Sequence, residues 1–599
     1  MQLDWLDWAC VGAFFAVTLL VGLAVARRAG RNSAEFFLSG RAMPWWLLGM
    51  SMVATTFSTD TPNLVTDMVR NHGVAGNWQW WAFLLTGMLT VFVYARLWRR
   101  SGVTTDVEFY ELRYSGKPAA FLRGFRALYL GVFFNICIMA TVTLAAIKIG
   151  HVLLGLAPLH TILLAAIVTV LFSAAGGLRA VILTDFLLFI VAMFGAVAAA
   201  VVALRLPEVG GLSGLLSHPN VADKLALVPR FGSEGDDWDT IAGIFVIPLA
   251  VQWWAMWYPG AEPGGGGYIA QRMLSARSEN HAVGATFFFN AAHYALRPWP
   301  WIIVALASLI VFPDLSTLAA RFPDMPAAQV KHDLAYPAML TFLPHGLLGL
   351  VVASLIAAYM STISTHLNWG SSYVVNDFWV RFVNPRASDR QQVLVGRIST
   401  VLLMIAAGAL ALWLENALQA FRILLQIGAG TGLLFILRWF WWRISPYSEI
   451  SAMVISFVVA VALEQPFAGA LAGWQKLLIG VAITTVGWLL VTVITPPDAP
   501  EKLREFYRLI RPGGPGWRRV VEDARRDGCE LPAADAEGWT LPRGIACMVL
   551  GCLAVYGVLF ATGYWLYGNR LMAATCGAVF VVAGGLLAVV VARATRRAG

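Results

Sequence analysis

Residues 252–272 read QWWAMWYPGAEPGGGGYIAQR. The stretch starts as the end of an apolar helix that begins near Ile241, then meets Pro259, Gly260, Pro263 and four glycines, Gly264 to Gly267. Proline removes a donor and clashes with the preceding turn, and glycine costs backbone entropy, so helix does not continue through such a composition. A carboxylate, Glu262, sits in the break. Irregular backbone at membrane depth is tolerated only where it is buried in protein or lines a watery cavity. Two readings follow. One is a transmembrane helix broken at a binding site; the other is a helix that ends at the membrane face, with Arg272 and Arg277 just beyond it.

The membrane itself is plain from composition. Of 599 residues, 59% are hydrophobic and 13% charged, against roughly 25% charged in soluble domains. Apolar runs of about 20 residues recur throughout and predict an all-α polytopic protein of about fifteen spans. The net charge of +9 follows from arginine-rich loops on one membrane side and calls for no nucleic acid. The six cysteines, Cys10, Cys137, Cys529, Cys547, Cys552 and Cys576, show no metal or disulfide spacing. The start, MQLDWLDW, lacks the basic region of a cleaved signal, so the first span is expected to be retained.

Threading the spans alternately tests the count. With the N-terminus outside, the arginine clusters at 27–31, 96–100, 123–126, 272–277, 381–397, 438–443, 502–526 and 593–597 fall inside. The acidic loop at 234–239 falls outside and the C-terminus is cytoplasmic. The expected location is a cell inner membrane.

A second weak helix lies near the start. The span LLGMSMVATTFSTDTPNLVTDMV carries Ala54 to Pro62 at its centre, polar, β-branched and proline-closed. Five spans separate it from the break at 259–267, an odd spacing that gives the two units opposite orientations. The expected organisation is an extra helix and linker at 1–43, one five-helix unit at 44–204, an outer loop at 205–239, and an inverted unit at 240–443. Two further helices (444–496), a cytosolic insert (497–542) and two last helices with a basic tail (543–599) complete it.

One later span reads ASLIAAYMSTISTHLNWGSS at 353–372. Ser361, Thr362, Ser364 and Thr365 fall at helical spacings, so most share a face. Hydroxyls and freed carbonyls are hard oxygen ligands for an alkali cation, although Ser and Thr also line ordinary helix contacts in membranes. Asp185, just inside an apolar run, is costly there unless it has a function or reaches water. His293 and Arg297 lie well inside the run NAAHYALRPWPW, and an arginine at that depth needs a carboxylate or an anionic ligand.

Five pieces together resemble the sodium:solute symporter family, which includes the sodium–glucose transporters. They are FFLSGRAMPWWLLGMSMVATTFS (36–58), GGLRAVILTDF (176–186), YIAQRMLSAR (268–277), GLVVASLIAAYMSTISTHLN (349–368) and ENALQAF (415–421). The resemblance implies a leucine-transporter-type core of five plus five inverted helices with extra terminal helices. It implies a sodium held by the carbonyls of Ala54, Phe57 and Ala358 and the hydroxyls of Ser361 and Thr362. In some members a second sodium sits on positions matching Asp185, Ser364 and Thr365. On the substrate side the chain departs from the sugar transporters: Asp60, Thr61, Gln79 and Trp80 stand in the first and third spans, and Tyr258, Glu262, His293 and Arg297 around the break. Asp60 and Glu262 are the expected partners of Arg297, by salt bridge.

The function so implied is a sodium-coupled symporter, moving one or two sodium ions with a small polar organic solute by alternating access. Its expected partners are solute, sodium and membrane lipid, and it is expected to be a monomer. The alternatives are a sensor built on a transporter fold, or a symporter of an organic acid or amino acid. No nucleophile triad, metal cluster or nucleotide loop suggests an enzyme; GAGTG at 428–432 has no strand before it. Three features read as unrelated to transport. Arg438 to Arg443 form an interfacial anchor, Lys148 snorkels outward, and EKLREFYRLI in the insert is an amphipathic piece resting on anionic lipid.

Overall fold

The structure is a computed structural model that describes residues 3–29, 33–232, 235–255, 263–414, 428, 430–465, 469–533 and 540–596. Among these, ten helices are long and apolar enough to cross a membrane, and shorter apolar helices accompany them. We number the main helices α1 (Trp5–Ala29), α2 (Trp45–Thr55), α3 (Asp60–His72), α4 (Val74–Ser101), α5 (Gly116–Leu154) and α6 (Pro158–Arg205). There follow α7 (Trp238–Ala250), α8 (Gly267–Ser275), α9 (Glu279–Val311), α10 (Leu347–Val383) and α11 (Asp389–Trp413). The last are α12 (Pro446–Leu463), α13 (Gly473–Ile494), α14 (Pro500–Ile510), α15 (Arg518–Arg526), α16 (Leu541–Leu566) and α17 (Arg570–Arg596).

Both weak helices are discontinuous. The first is α2 and α3, separated at residues 56–59, where Ser58 takes a left-handed φ of 42°. For a residue with a Cβ that conformation is strained. The second is α7 and α8. Helix α7 gives way after Ala250 to a tight turn at Gln252–Trp254, and α8 resumes at Gly267. Gly264, Gly265 and Gly267 all have positive φ there, which is what the glycine run supplies. Residues 256–262, with Tyr258 and Glu262, lie outside the described residues, as does ENALQAF.

Long α10 packs on α6, α1 and α11, and α9 packs along α2. Helix α8, which follows the second break, packs on α2 and α10. Within α6 the backbone leaves helical geometry at Gly177, φ 53°. A Cβ there would stand 2.7 Å from the carbonyl oxygen of Phe36, so the close approach demands glycine.

Several charged residues sit elsewhere than expected. Lys148 does not reach outward; it is buried and its Nζ lies 2.8 Å from Asp333. Arg438 and Trp439 are buried rather than interfacial, Arg438 lying 3.5 Å from the buried Glu449. The amphipathic α14 turns its apolar face to protein, not lipid: Leu503, Phe506, Tyr507 and Ile510 are all buried. The reason is the same in each case. Charge and amphipathy announce that a residue needs a partner, and here the partner is another helix.

Candidate functional site

The polar residues of α2, α6, α8 and α10 converge on one buried cluster. Asp185 on α6 accepts from Ser361 of α10 at 2.6 Å through one oxygen and from Ser51 of α2 at 2.5 Å through the other. Thr362 donates across to the carbonyl of Thr55, the last residue of α2, at 2.7 Å. The hydroxyls of Thr55 and Thr365 lie 3.1 Å apart. All five of these residues, and Asp185, are buried. The break in the first discontinuous helix explains the geometry: ending α2 at Thr55 frees carbonyls that a continuous helix would consume.

The expected sodium ligands are brought together in part. Ser361 and Thr362 sit beside the break, and Thr362 also contacts the carbonyl of Ala358 at 3.1 Å. The carbonyl of Ala54 accepts the N–H of Phe57 at 3.0 Å and so closes the turn. At Asp185 the partner is Ser361; Ser364 bonds the carbonyl of Ser361 at 3.2 Å instead. Thr365 does join the Asp185 cluster, through Thr55 and through Arg272. Carboxylate, hydroxyl and carbonyl oxygens of this kind suit a hard cation such as sodium.

Two members of this cluster were not legible as such. Ser51 reads as a small residue in an apolar helix. Arg272 reads as the first arginine of a cytosolic loop, yet its side chain is fully buried. Its Nε donates to Ser51 at 3.2 Å, one Nη to Thr365 at 2.7 Å and the other to Gln271 at 3.1 Å. The guanidinium stands 3.8 Å from Asp185.

A second group of residues lines a cavity between α2, α4, α8 and α9. Its walls carry Thr56, Thr86, Thr90, Tyr268, Asn290 and His293. His293 and Tyr294 ride on a wide π-type turn in α9, Ala292–Leu296, a local irregularity common at functional sites. Trp80 stacks on Tyr294 with ring centres 5.7 Å apart and meets the edge of His293. Asn290 is buried, donates to the carbonyl of Thr286 at 2.8 Å, and leaves its Oδ1 without a hydrogen-bond partner. Neither Asn290 nor Thr56 stands out in the sequence, since Asn290 is one polar residue within an apolar run and Thr56 is one of several threonines at the break.

Arg297 is buried beside this cavity. Among the described residues it donates to the carbonyl of Thr56 at 2.5 Å and to the carbonyl and Nε2 of His293 at 3.3 and 3.0 Å. His293 Nδ1 in turn lies 3.0 Å from the Thr56 hydroxyl. No ion pair joins Arg297 to Asp60 among the described residues; Asp60 starts α3, and its Oδ1 finds no hydrogen-bond partner. Thr61 donates to the same Thr56 carbonyl at 3.3 Å. Gln79 accepts from Gln252 at 2.8 Å and so ties α4 to the second broken helix.

Comparison with known proteins agrees with this architecture. A family model described as the sodium:solute symporter family matches residues 36–456. A sodium/mannose cotransporter from Bos taurus is 28% identical over 470 residues, 74% of this chain and 76% of the relative. A sodium/glucose cotransporter from Vibrio parahaemolyticus is 25% identical, covering 77% of this chain and 86% of its own. A sodium/myo-inositol cotransporter 2 from Mus musculus is 26% identical over 76% and 69%. Among solved structures, an outward-open, substrate-bound Na+-coupled sialic acid symporter superposes with a TM-score of 0.66 at 21% identity. It covers 83% of this chain and 99% of that one, so the fold is the leucine-transporter type.

Proposed function

The chain belongs to the sodium:solute symporter family, and we propose that it couples inward sodium flow to uptake of a small, neutral, polyhydroxylated solute. Sodium-coupled symport is the activity of the family. The observation that carries the site assignment is the Thr362–Thr55 bond between α10 and the break after α2. A hydroxyl of α10 against a main-chain oxygen freed at the break supports a cation site between these two elements, which alternating access would shift against each other.

The solute class is inferred from the cavity. Its walls offer threonine hydroxyls, the Tyr268 and Tyr294 rings, and the orphaned Oδ1 of Asn290. A buried acceptor without a partner is costly, and a solute hydroxyl would satisfy it. Trp80 backs the cavity through Tyr294 and supports a sugar or cyclitol face. The guanidinium of Arg297 is engaged by Thr56 and His293, which favours a neutral solute over a carboxylate. We further propose a multi-pass inner-membrane protein with the N-terminus outside and the insert cytosolic, from the arginine asymmetry.

The test is uptake into proteoliposomes under an inward sodium gradient, with a panel of hexoses, cyclitols, sugar acids and amino acids. Accumulation of a hexose or cyclitol that collapses when potassium replaces sodium is the expected result. Sodium-driven accumulation of acids or amino acids alone would overturn the solute class.

A further inference from the structure

Arg272 donates to two of the hydroxyls that a cation at Asp185 would use, Ser51 and Thr365. The cluster holds one carboxylate, Asp185, and four hydroxyls, from Ser51, Thr55, Ser361 and Thr365, contributed by α2, α6 and α10. Into it, from α8, runs one guanidinium. It takes a hydrogen bond to Ser51 on one side and to Thr365 on the other, and its charge lies 3.8 Å from Asp185, with both side chains fully buried. With the arginine in place the carboxylate is already compensated: one negative and one positive charge, no net charge for an ion to neutralise. A sodium added to that set would leave an extra positive charge buried at membrane depth, which is strongly unfavourable.

We propose that Arg272 is a tethered cation that competes with sodium for Asp185. Sodium binds there only when the guanidinium withdraws, and the guanidinium returns when sodium leaves. This rests on the sodium-symport reading above and adds its coupling element. Arg272 sits on α8, the nine residues that follow the glycine-rich break. That helix follows Gly264 and Gly265, which have positive φ, as does Gly267 at its start, and glycine tolerates large φ/ψ changes. Occupancy at Asp185 on α6 and the position of α8 become one equilibrium, since a ligand shifts a conformation only by its differential affinity for the two states. The carboxylate and its hydroxyls bind; Arg272 acts as a positioning residue through its exchange with the ion.

The experiment is equilibrium 22Na+ binding to purified protein in lipid nanodiscs, for the unaltered chain, Arg272→Gln, Arg272→Lys, and Arg272→Gln combined with Asp185→Asn. Removing the competitor should tighten the sodium component at Asp185 by at least about tenfold. Lysine lacks the planar fork that holds both hydroxyls and should give a smaller gain, and the added Asp185→Asn should abolish it. Unchanged or weaker sodium binding in both folded single variants would overturn the proposal. Hydrogen–deuterium exchange of residues 267–275 in the unaltered protein gives a second readout that needs no variant. Saturating sodium should raise exchange there as Arg272 lets go of Ser51 and Thr365, and no sodium effect would likewise overturn it. Failure of the symport reading looks different: the unaltered protein would then bind no sodium at all.

Discussion

The hydroxyl of Thr362 donates to the main-chain carbonyl of Thr55 at 2.7 Å, joining the middle of α10 to the last residue before the break in the first discontinuous helix. Both residues are buried. Thr362→Ala removes the donor together with an oxygen proposed to hold the cation. The lost hydrogen bond alone costs about 1–3 kcal/mol when its partner stays buried. We expect half-saturation by sodium to rise about tenfold or more, with solute half-saturation at saturating sodium changed less. Sodium titration of uptake checks this, and an unaltered sodium dependence would take the cation away from α10.

How much of this was legible follows from the kind of signal each residue sends. Both breaks could be read because their causes are local: Pro62 with a β-branched run in one, the glycines at 264–267 in the other. The hydroxyls of α10 could be read because helical spacing places them on one face. Ser51 could not, since a single serine in an apolar helix is unremarkable until Asp185 is seen 2.5 Å away. Arg272 was misplaced because an arginine after a glycine run looks like the start of a loop. What buries it is tertiary: α8 lies inside the bundle. The partners of Lys148 and Arg438 were hidden for the same reason, lying 185 residues off in one case and across a helix boundary in the other.

Asn290 and Gly87 test the cavity. Asn290→Ala withdraws the unpartnered acceptor and is expected to raise solute half-saturation about tenfold while leaving sodium half-saturation near its starting value. Gly87→Ala works in the opposite sense, by filling. A Cβ at Gly87 would stand 1.7 Å from Asn290 Oδ1, so the Asn290 side chain must leave its place in the cavity wall. Uptake should fall to near background in folded protein. Normal uptake by Gly87→Ala would place the solute elsewhere.

Arg297 separates neutral from anionic solutes. Its guanidinium is committed to the Thr56 carbonyl and to His293, so sugar acids are expected not to compete with a hexose or cyclitol for uptake. Arg297→Lys should lose most transport, because one ammonium cannot serve the carbonyl of Thr56 and the ring of His293 together. Competition by a sugar acid that disappears in Arg297→Gln would make Arg297 a carboxylate ligand instead.

The N-terminal end of α10 should be pH-sensitive. Asp7 on α1 accepts from the backbone N–H groups of Gly346 and Gly349 at 2.7 Å each, capping α10 from another helix, and His345 Nδ1 lies 2.7 Å from its second oxygen. That hydrogen bond pushes the pKa of His345 above its ordinary 6.5. A raised folded-state pKa means stability that is fully present below pH 6.5 and lost as pH rises through the raised value. The thermal midpoint of the unaltered protein should thus exceed that of His345→Ala more at pH 5.5 than at pH 8.5. Asp7→Ala should cost about 0.5–2 kcal/mol as a lost helix cap at pH 8.5, and more at pH 5.5, where the contact with charged His345 is lost with it. A midpoint gap that grows toward alkaline pH would refute the linkage.

The insert gives a test of orientation and of packing at once. Phe506 and Trp517 stack with ring centres 5.5 Å apart, and the Arg113 guanidinium sits 5.3 and 4.9 Å from those two rings. Arg113 also donates to the carbonyls of Arg438, Trp441, Trp442 and Ile444, so the insert roofs a buried cation that ties two parts of the core together. Phe506→Ala should therefore destabilise by about 3–5 kcal/mol, as for other buried aromatic truncations. A loosely attached linker would show almost no change in thermal midpoint. The same segment reports sidedness. Glu505 is exposed on α14, and a cysteine there, in a Cys529→Ser background, should resist a membrane-impermeant maleimide in intact cells and react in inside-out vesicles. Ready labelling of Glu505→Cys from outside would invert the orientation, because every arginine cluster was assigned to one side by the same alternation.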